Sequence, residues 1–211
     1  MAATLGQNWE PKYIAHNTEY SNLEDGPQIA AKRKAWELQF PPIHYPSDHL
    51  GRSFPEDLFP RQVILTKGKK LFDYNYIQGG LAVSQTFKDA VELIEPGVHQ
   101  FFPVEILLKD GTLYKDPIYF LNIATRVDSI NPELGGFNKG FSSKTPDRFY
   151  WSAASGKAEF LAVYQNRIAG RALWKDNRFG GIYDFASDAL LEQLRKTAPH
   201  GWDIRHYFQE I

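Results

Sequence analysis

Residues 100–112 read QFFPVEILLKDGT, and this stretch decides the fold. Phe102, Val104, Ile106 and Leu108 fall on one parity, which places four apolar side chains on one face of an extended chain. Asp110-Gly111 then offers the positive φ angles that a tight hairpin turn requires. A return strand is expected from about Leu113 to Ile123. Pro117 within it marks a bulge or an edge, because proline has no N–H to give to a ladder.

Upstream, Val63 to Leu65 reads as a strand, Gly68 as part of a turn, and Leu81 to Val83 as a second strand after Gly79-Gly80. Ser84 is a good N-cap, and Phe87, Ala90, Val91 and Ile94 keep helical spacing until Pro96-Gly97. The spacing predicts a helix over 85–94. Downstream of Asn131-Pro132, the Gly- and Ser-containing stretch from Gly135 to Ser143 reads as a loop. Strands are expected at Phe160 to Tyr164 and Arg171 to Trp174, with Asn166 near the turn between them. Gly180-Gly181 leads into a helix over about 185–196, whose apolar face holds Ala186, Ala189, Leu190 and Leu194 and which Asp184 or Ser187 can cap. Pro199 to Gly201 ends it, and Asp203 to Phe208 reads as a closing strand. The expected class is α+β, mostly antiparallel sheet with two or three helices and a proline-rich N-terminal arm. No internal repeat is visible in the sequence.

The arm covers residues 1–70 and the α+β domain residues 71–211, as parts of one structural domain. Seven of the thirteen prolines lie before residue 61, beside Trp9, Tyr13, Trp36, Phe40, Tyr45, Phe54 and Phe59. So many rings suit an arm packed on a core, since a free linker would leave them in water. Within it, Gln28 to Ala35 fits a short helix, whereas Trp36, Leu38 and Phe40 alternate as in a strand.

A chain of 211 residues buries roughly 70% of its unfolded surface and needs no staple. The absence of cysteine excludes disulfides, thiolate metal sites and thiol nucleophiles. Residues 1–10 hold no basic segment followed by an apolar one, and no apolar run is long enough to span a bilayer, so a cytoplasmic protein without membrane contact is expected. Lys and Arg total 24 against 25 for Asp and Glu, which gives no global attraction toward nucleic acid. The charges are nonetheless segregated. Residues 89–133 carry eight acidic and three basic side chains, and residues 139–178 carry eight basic and three acidic.

Searching for chemistry excludes the common signatures. Gly156-Lys157 is followed by Ala158 and lacks the glycine of a phosphate-binding loop; the dinucleotide fingerprint, the nucleophile elbow and the zincin helix are absent. His44, Asp48 and His49 are close in sequence, but Pro46 forbids the helix that would align them as metal ligands. The pairs Glu92 with Glu95 and Asp184 with Asp188 have the spacing of solvated helix faces. No cofactor is expected. Aromatic and basic residues interleave from Arg148 to Arg178, and Arg148, Trp151, Arg167, Arg171, Trp174 and Arg178 are the candidates for partner contact, because Trp and Arg anchor protein interfaces. The same pattern suits a sheet core with a cationic outer face.

The set Gly80-Leu81-Ala82-Val83-Ser84, Glu95-Pro96-Gly97-Val98-His99-Gln100-Phe101-Phe102-Pro103-Val104-Glu105, Lys109-Asp110-Gly111 and Tyr119-Phe120-Leu121-Asn122-Ile123 resembles the bacterial polymorphic-toxin immunity family numbered eleven, once catalogued as a domain of unknown function. The match is specific between about Gly80 and Asn131 and follows the order of elements from Leu71 onward. The resemblance implies a non-enzymatic protein that binds and neutralises a toxin encoded beside it. The alternative is a hydrolase or nuclease-like enzyme whose site is dispersed in sequence.

The hairpin can be tested directly. Gly111→Val should lower the thermal midpoint, because a β-branched residue resists positive φ. An unchanged midpoint would place the turn elsewhere.

Overall fold

The computed structural model describes residues 2–7, 18–20, 25–39, 52–67, 70–78, 80–142, 145–153, 161–179 and 184–211. The strands are β1 (Ala2–Gln7), β2 (Thr18–Tyr20), β3 (Gln62–Leu65), β4 (Tyr74–Ile77), β5 (Gly80–Ser84), β6 (Gln100–Leu108) and β7 (Ile118–Asn122). They continue with β8 (Arg126–Val127), β9 (Phe137–Ser142), β10 (Thr145–Ala153), β11 (Leu161–Val163), β12 (Leu173–Asp176), β13 (Asp184–Ser187) and β14 (Trp202–Glu210). The helices are α1 (Asp25–Glu37), α2 (Gln85–Ile94), the single turn α3 (Gln165–Ile168) and α4 (Asp188–Thr197). The fold is α+β.

The hairpin of β6 and β7 forms as expected, with Gln100 opposite Asn122 and Val104 opposite Ile118. Its apolar parity is the buried one, through Phe102, Val104 and Ile106. The amide of Gly111 donates to the Leu108 carbonyl at 2.9 Å, so Lys109 and Asp110 form the centre of the turn and Gly111 follows it at φ +84°. This is the three-residue form of hairpin loop, in which a left-handed residue closes a type I turn. The return strand is shorter than expected. Leu107 bridges to Leu113, so the four residues from Val104 to Leu107 oppose the six from Leu113 to Ile118. The extra chain is the bulge at Lys115 to Pro117, where proline leaves the ladder.

Other expectations shift in detail. The stretch read as a loop from Gly135 to Ser143 contains strand β9, paired with β10; Gly140 lies in the strand because the Tyr150 ring crosses it, only 2.5 Å from where a Cβ would stand. The open choice before residue 40 resolves as helix α1, with Trp36 stacked on Phe54 at 4.6 Å. Ser187 caps α4 by accepting from the Leu190 amide, while Asp184 belongs to β13. The first residues, read as part of the arm, form β1 between β14 and β13.

Two six-stranded sheets, β2-β3-β6-β7-β5-β4 and β11-β14-β1-β13-β12-β8, enclose α2 and α4. The shared core holds Phe87, Ala90 and Val91 of α2, Leu190, Leu191 and Leu194 of α4, Val83 and Leu121 of one sheet, and Leu5 and Ala186 of the other. Alternation sends neighbouring residues to the opposite faces. Phe102, Ile106 and Phe120 pack under Phe54 and Leu58, and Trp174, Phe185 and Phe208 pack under Phe179, Phe137 and Trp151. Three apolar layers therefore alternate with the two sheets.

The structure also reveals a recurrence that the sequence hides. In each sheet a hairpin ends on a serine that caps a ten-residue helix, Ser84 bonding the Phe87 amide and Ser187 the Leu190 amide. Each helix leads to a nine-residue strand, β6 or β14. The series β3-β6-β7-β5-β4 matches β11-β14-β1-β13-β12 strand for strand, with β3 parallel to β6 as β11 is to β14. The place that β7 takes after β6 is taken in the other sheet by β1, from the opposite end of the sequence order. A circular shift of this kind leaves no linear repeat to read.

Polar side chains tie the halves together. Asp73 accepts from the Ser84 hydroxyl at 2.7 Å and from the His200 amide at 3.0 Å, and Gly201 lets the second loop approach, since a Cβ there would stand 2.5 Å from Phe72. Asp184, fully buried, accepts from the Tyr74 hydroxyl at 2.5 Å and forms an ion pair with Lys175. Burial, with the Asp184 charge, pushes the Tyr74 hydroxyl well above its ordinary range. At the end of α2, Glu95 accepts from the amide of Ala172 at 2.8 Å, from Arg171 at 3.2 Å and lies 3.3 Å from the His99 ring nitrogen. Burial raises the Glu95 carboxyl, but the bonds from His99, Ala172 and Arg171 outweigh it and hold the group at about 2. A carboxyl whose folded value is depressed stabilises the fold above the ordinary carboxylate range and loses that contribution as pH falls toward the folded value. Glu95→Ala should therefore cost about 1 to 3 kcal/mol in urea unfolding at neutral pH, because it orphans a buried amide. The gap between variant and wild type should narrow on acidification toward the folded value; a constant gap would show that the carboxylate charge contributes nothing.

Candidate protein-binding surface

Strand alternation in the β9–β10 hairpin puts Lys139 opposite Trp151 and Phe141 opposite Phe149, on one face. The hairpin is anchored to the chain after β12: the Trp151 amide donates to the Arg178 carbonyl at 2.5 Å, and Trp151 bridges to Phe179. Beneath it, Asp176 gathers two loops. One carboxylate oxygen accepts from the amides of Ser129 and Ile130 and from the Ser129 hydroxyl, the other from the amides of Arg178 and Phe179. Burial pushes the Asp176 carboxyl above its ordinary value, and these donors offset only part of that rise. Its role is to shape the loops after β8 and β12, because both oxygens are occupied.

The result is an open cleft of about 280 Å³ lined chiefly by Asp128, Phe149, Trp151, Tyr164, Arg167 and Arg178. Cations lie over its rings. Arg178 sits 4.3 Å and Lys139 4.2 Å from the centre of Phe149, and Arg167 sits 4.0 Å from the centre of Tyr164. Phe149 and Trp151 meet edge to face at 5.3 Å. Such contacts add about 0.5 to 2 kcal/mol each and, more usefully, hold long cationic side chains in one pose. Asp128 accepts at its carbonyl from Arg167 at 2.7 Å and lies 3.6 Å from Arg178 at its carboxylate. Among the described residues, the lining contains no serine, threonine or histidine. Its chemistry is stacking and charge recognition.

The six candidate contact residues separate. Trp151, Arg167 and Arg178 converge at the cleft. Trp174 is fully buried and donates to the Ser129 hydroxyl at 3.2 Å, so it supports the loop below the cleft and offers no surface of its own. Arg171 lies elsewhere, bonded to Glu95. The side chain of Arg148 lies outside the described residues, as do His44, Asp48 and His49. Among the described residues no three His, Asp or Glu side chains gather as metal ligands, and no helix is long and apolar enough to cross a membrane. Sequence reasoning missed Lys139, in a stretch read as a loop, and Asp128, in a stretch given no element; only the aromatic alternation of Phe137, Phe141, Phe149 and Trp151 could have signalled the hairpin beside which they gather.

No curated protein matches the chain. The sequence profile of the Immunity protein family (Imm11) matches residues 12–208, and with nearly its whole length covered the chain belongs to that family.

Proposed function

We propose that this protein is a bacterial immunity protein that acts in the cytoplasm, binding a toxin encoded beside it and neutralising it without catalysis, with the face around the β9–β10 cleft forming part of the contact. Family membership supports the immunity role. The observation that carries the placement is the convergence of Trp151, Arg167 and Arg178 with Phe149 and Tyr164 on one exposed surface. Aromatic and arginine side chains held in fixed poses lose little freedom on binding, which is why they dominate the energetics of protein interfaces. A cleft walled by aromatic rings and cations, with both Asp176 oxygens already occupied by donors, suits recognition better than hydrolysis.

Co-expression with the adjacent toxin gene tests the reading. The wild-type chain should restore growth and co-purify with the toxin. Trp151→Ala should weaken the complex by about 2 kcal/mol, roughly thirtyfold in Kd, with circular dichroism confirming that the variant remains folded. Wild-type protein that gives neither protection nor a complex overturns the immunity reading. A folded Trp151→Ala variant that binds as wild type moves the contact surface elsewhere.

A further inference from the structure

We infer that the cleft takes an acidic loop of the partner, with carboxylates set against the free edges of Arg167 and Arg178 and the ammonium of Lys139; this rests on the immunity reading above. A guanidinium lying over a ring is held in place by it yet keeps N–H donors for other partners, and those donors match a carboxylate in a two-pronged geometry. Arg167 and Arg178 are both held this way, over Tyr164 and Phe149. Their donors are sparsely used: Arg167 reaches the Asp128 carbonyl, and Arg178 reaches the Asp128 carboxylate only at 3.6 Å. Among the described residues no carboxylate lies within ion-pair distance of Lys139 or Arg167. Several cations elsewhere are matched, Lys32 by Asp57, Arg171 by Glu95 and Lys175 by Asp184.

Lys139 and Arg167, with no ion pair among the described residues, thus join Arg178 on one aromatic-walled surface, in the segment where basic residues outnumber acidic ones by eight to three. Apolar walls reduce screening, so a carboxylate entering the cleft is attracted more strongly than one in open water. A nucleic-acid phosphate would satisfy the same donors. Yet the whole chain is nearly neutral, with 24 basic against 25 acidic residues, and three cations around one short cleft offer no track for a polyphosphate backbone. An acidic protein loop is the occupant that fits. Asp128, whose side chain is half exposed, stands beside Arg178 as the internal carboxylate that the loop displaces.

The experiment uses the full chain and the toxin module encoded by the neighbouring gene. Stopped-flow association is measured at low and high salt, and the complex is treated with a carbodiimide, which joins a lysine amine only to a carboxylate in direct contact. Lys139→Glu, Arg167→Glu and Arg178→Glu should each slow association about tenfold at low salt, with the difference shrinking at high salt. Lys109→Glu, at the distant β6–β7 turn, serves as the control and should leave the rate unchanged. Asp128→Asn should tighten the complex by removing the competing carboxylate. Lys139 should be recovered joined to an Asp or Glu of the toxin. A complex that forms with unaltered rates for all three reversals, and with no cross-link at Lys139, overturns the acidic-loop inference while the immunity reading stands. Displacement of the toxin by an oligo-dT strand would make the cleft a phosphate site and overturn it as well. Failure of the wild type to form any complex overturns both readings together.

Discussion

Two ten-residue helices share a single apolar core with the inner faces of both sheets, and the rest of the molecule is arranged around that burial. Phe87 and Val91 from α2 meet Leu190 and Leu194 from α4 at full burial. Neither sheet could lose its helix without exposing the face of the other, because the helices fill one common layer. Truncating a buried phenylalanine in such a layer costs about 3 to 5 kcal/mol. The outer faces of the sheets are covered separately, one by α1 and the Phe54–Leu58 segment and the other by the β9–β10 hairpin. The candidate surface is therefore the outside of a cover whose inner side is committed to the core.

Polar groups within this packing fix relative positions that apolar contact leaves loose. Glu95 and Asp73 each join chain segments distant in sequence, bonding residues 172 and 200 respectively. Asp176 does the same for the loops below the cleft, and its five donors place Arg178 and the Ser129–Ile130 segment on either side of it. Buried carboxylates satisfied in this manner act as rivets, since leaving any one donor unpaired costs free energy. The rings of the cleft stand on that framework: Trp151 contacts the buried Phe179 region, while Arg178 leaves the same loop to cover Phe149. Rigid placement of aromatic and cationic groups is what makes a small cleft selective.

The recurrence of β3-β6-β7-β5-β4 as β11-β14-β1-β13-β12 gives the molecule two versions of one sheet-and-helix unit. The two units differ in their outer covers, the second being covered by the aromatic hairpin with its cations. The serine caps persist in both because a helix leaving a strand abruptly must satisfy its first amides locally. The inward apolar positions persist as a pattern of size and polarity without shared identity, as Phe87 against Leu190 illustrates.

The sequence by itself determined what depends on neighbours in the chain. The β6–β7 hairpin, the 85–94 helix with its Ser84 cap, the strands around 63–65 and 81–83, and the α+β class follow from alternation, helical spacing and turn chemistry, which act within a few residues. Local signals failed where pairing is remote. Nothing near Ala2–Gln7 says that this segment enters a sheet with β13 and β14, and the glycines of the 135–143 stretch resemble a loop until Tyr150 is seen crossing Gly140. The same division applies to the candidate surface. Interleaved aromatic and basic residues singled out the segment from Arg148 to Arg178, but the tertiary structure sent Trp174 into the core, tied Arg171 to Glu95, and brought Trp151, Arg167 and Arg178 together with Lys139 and Asp128. Which face of a strand is covered, and which cation finds a carboxylate, is decided by what packs against it from elsewhere in the chain, and no local pattern carries that information.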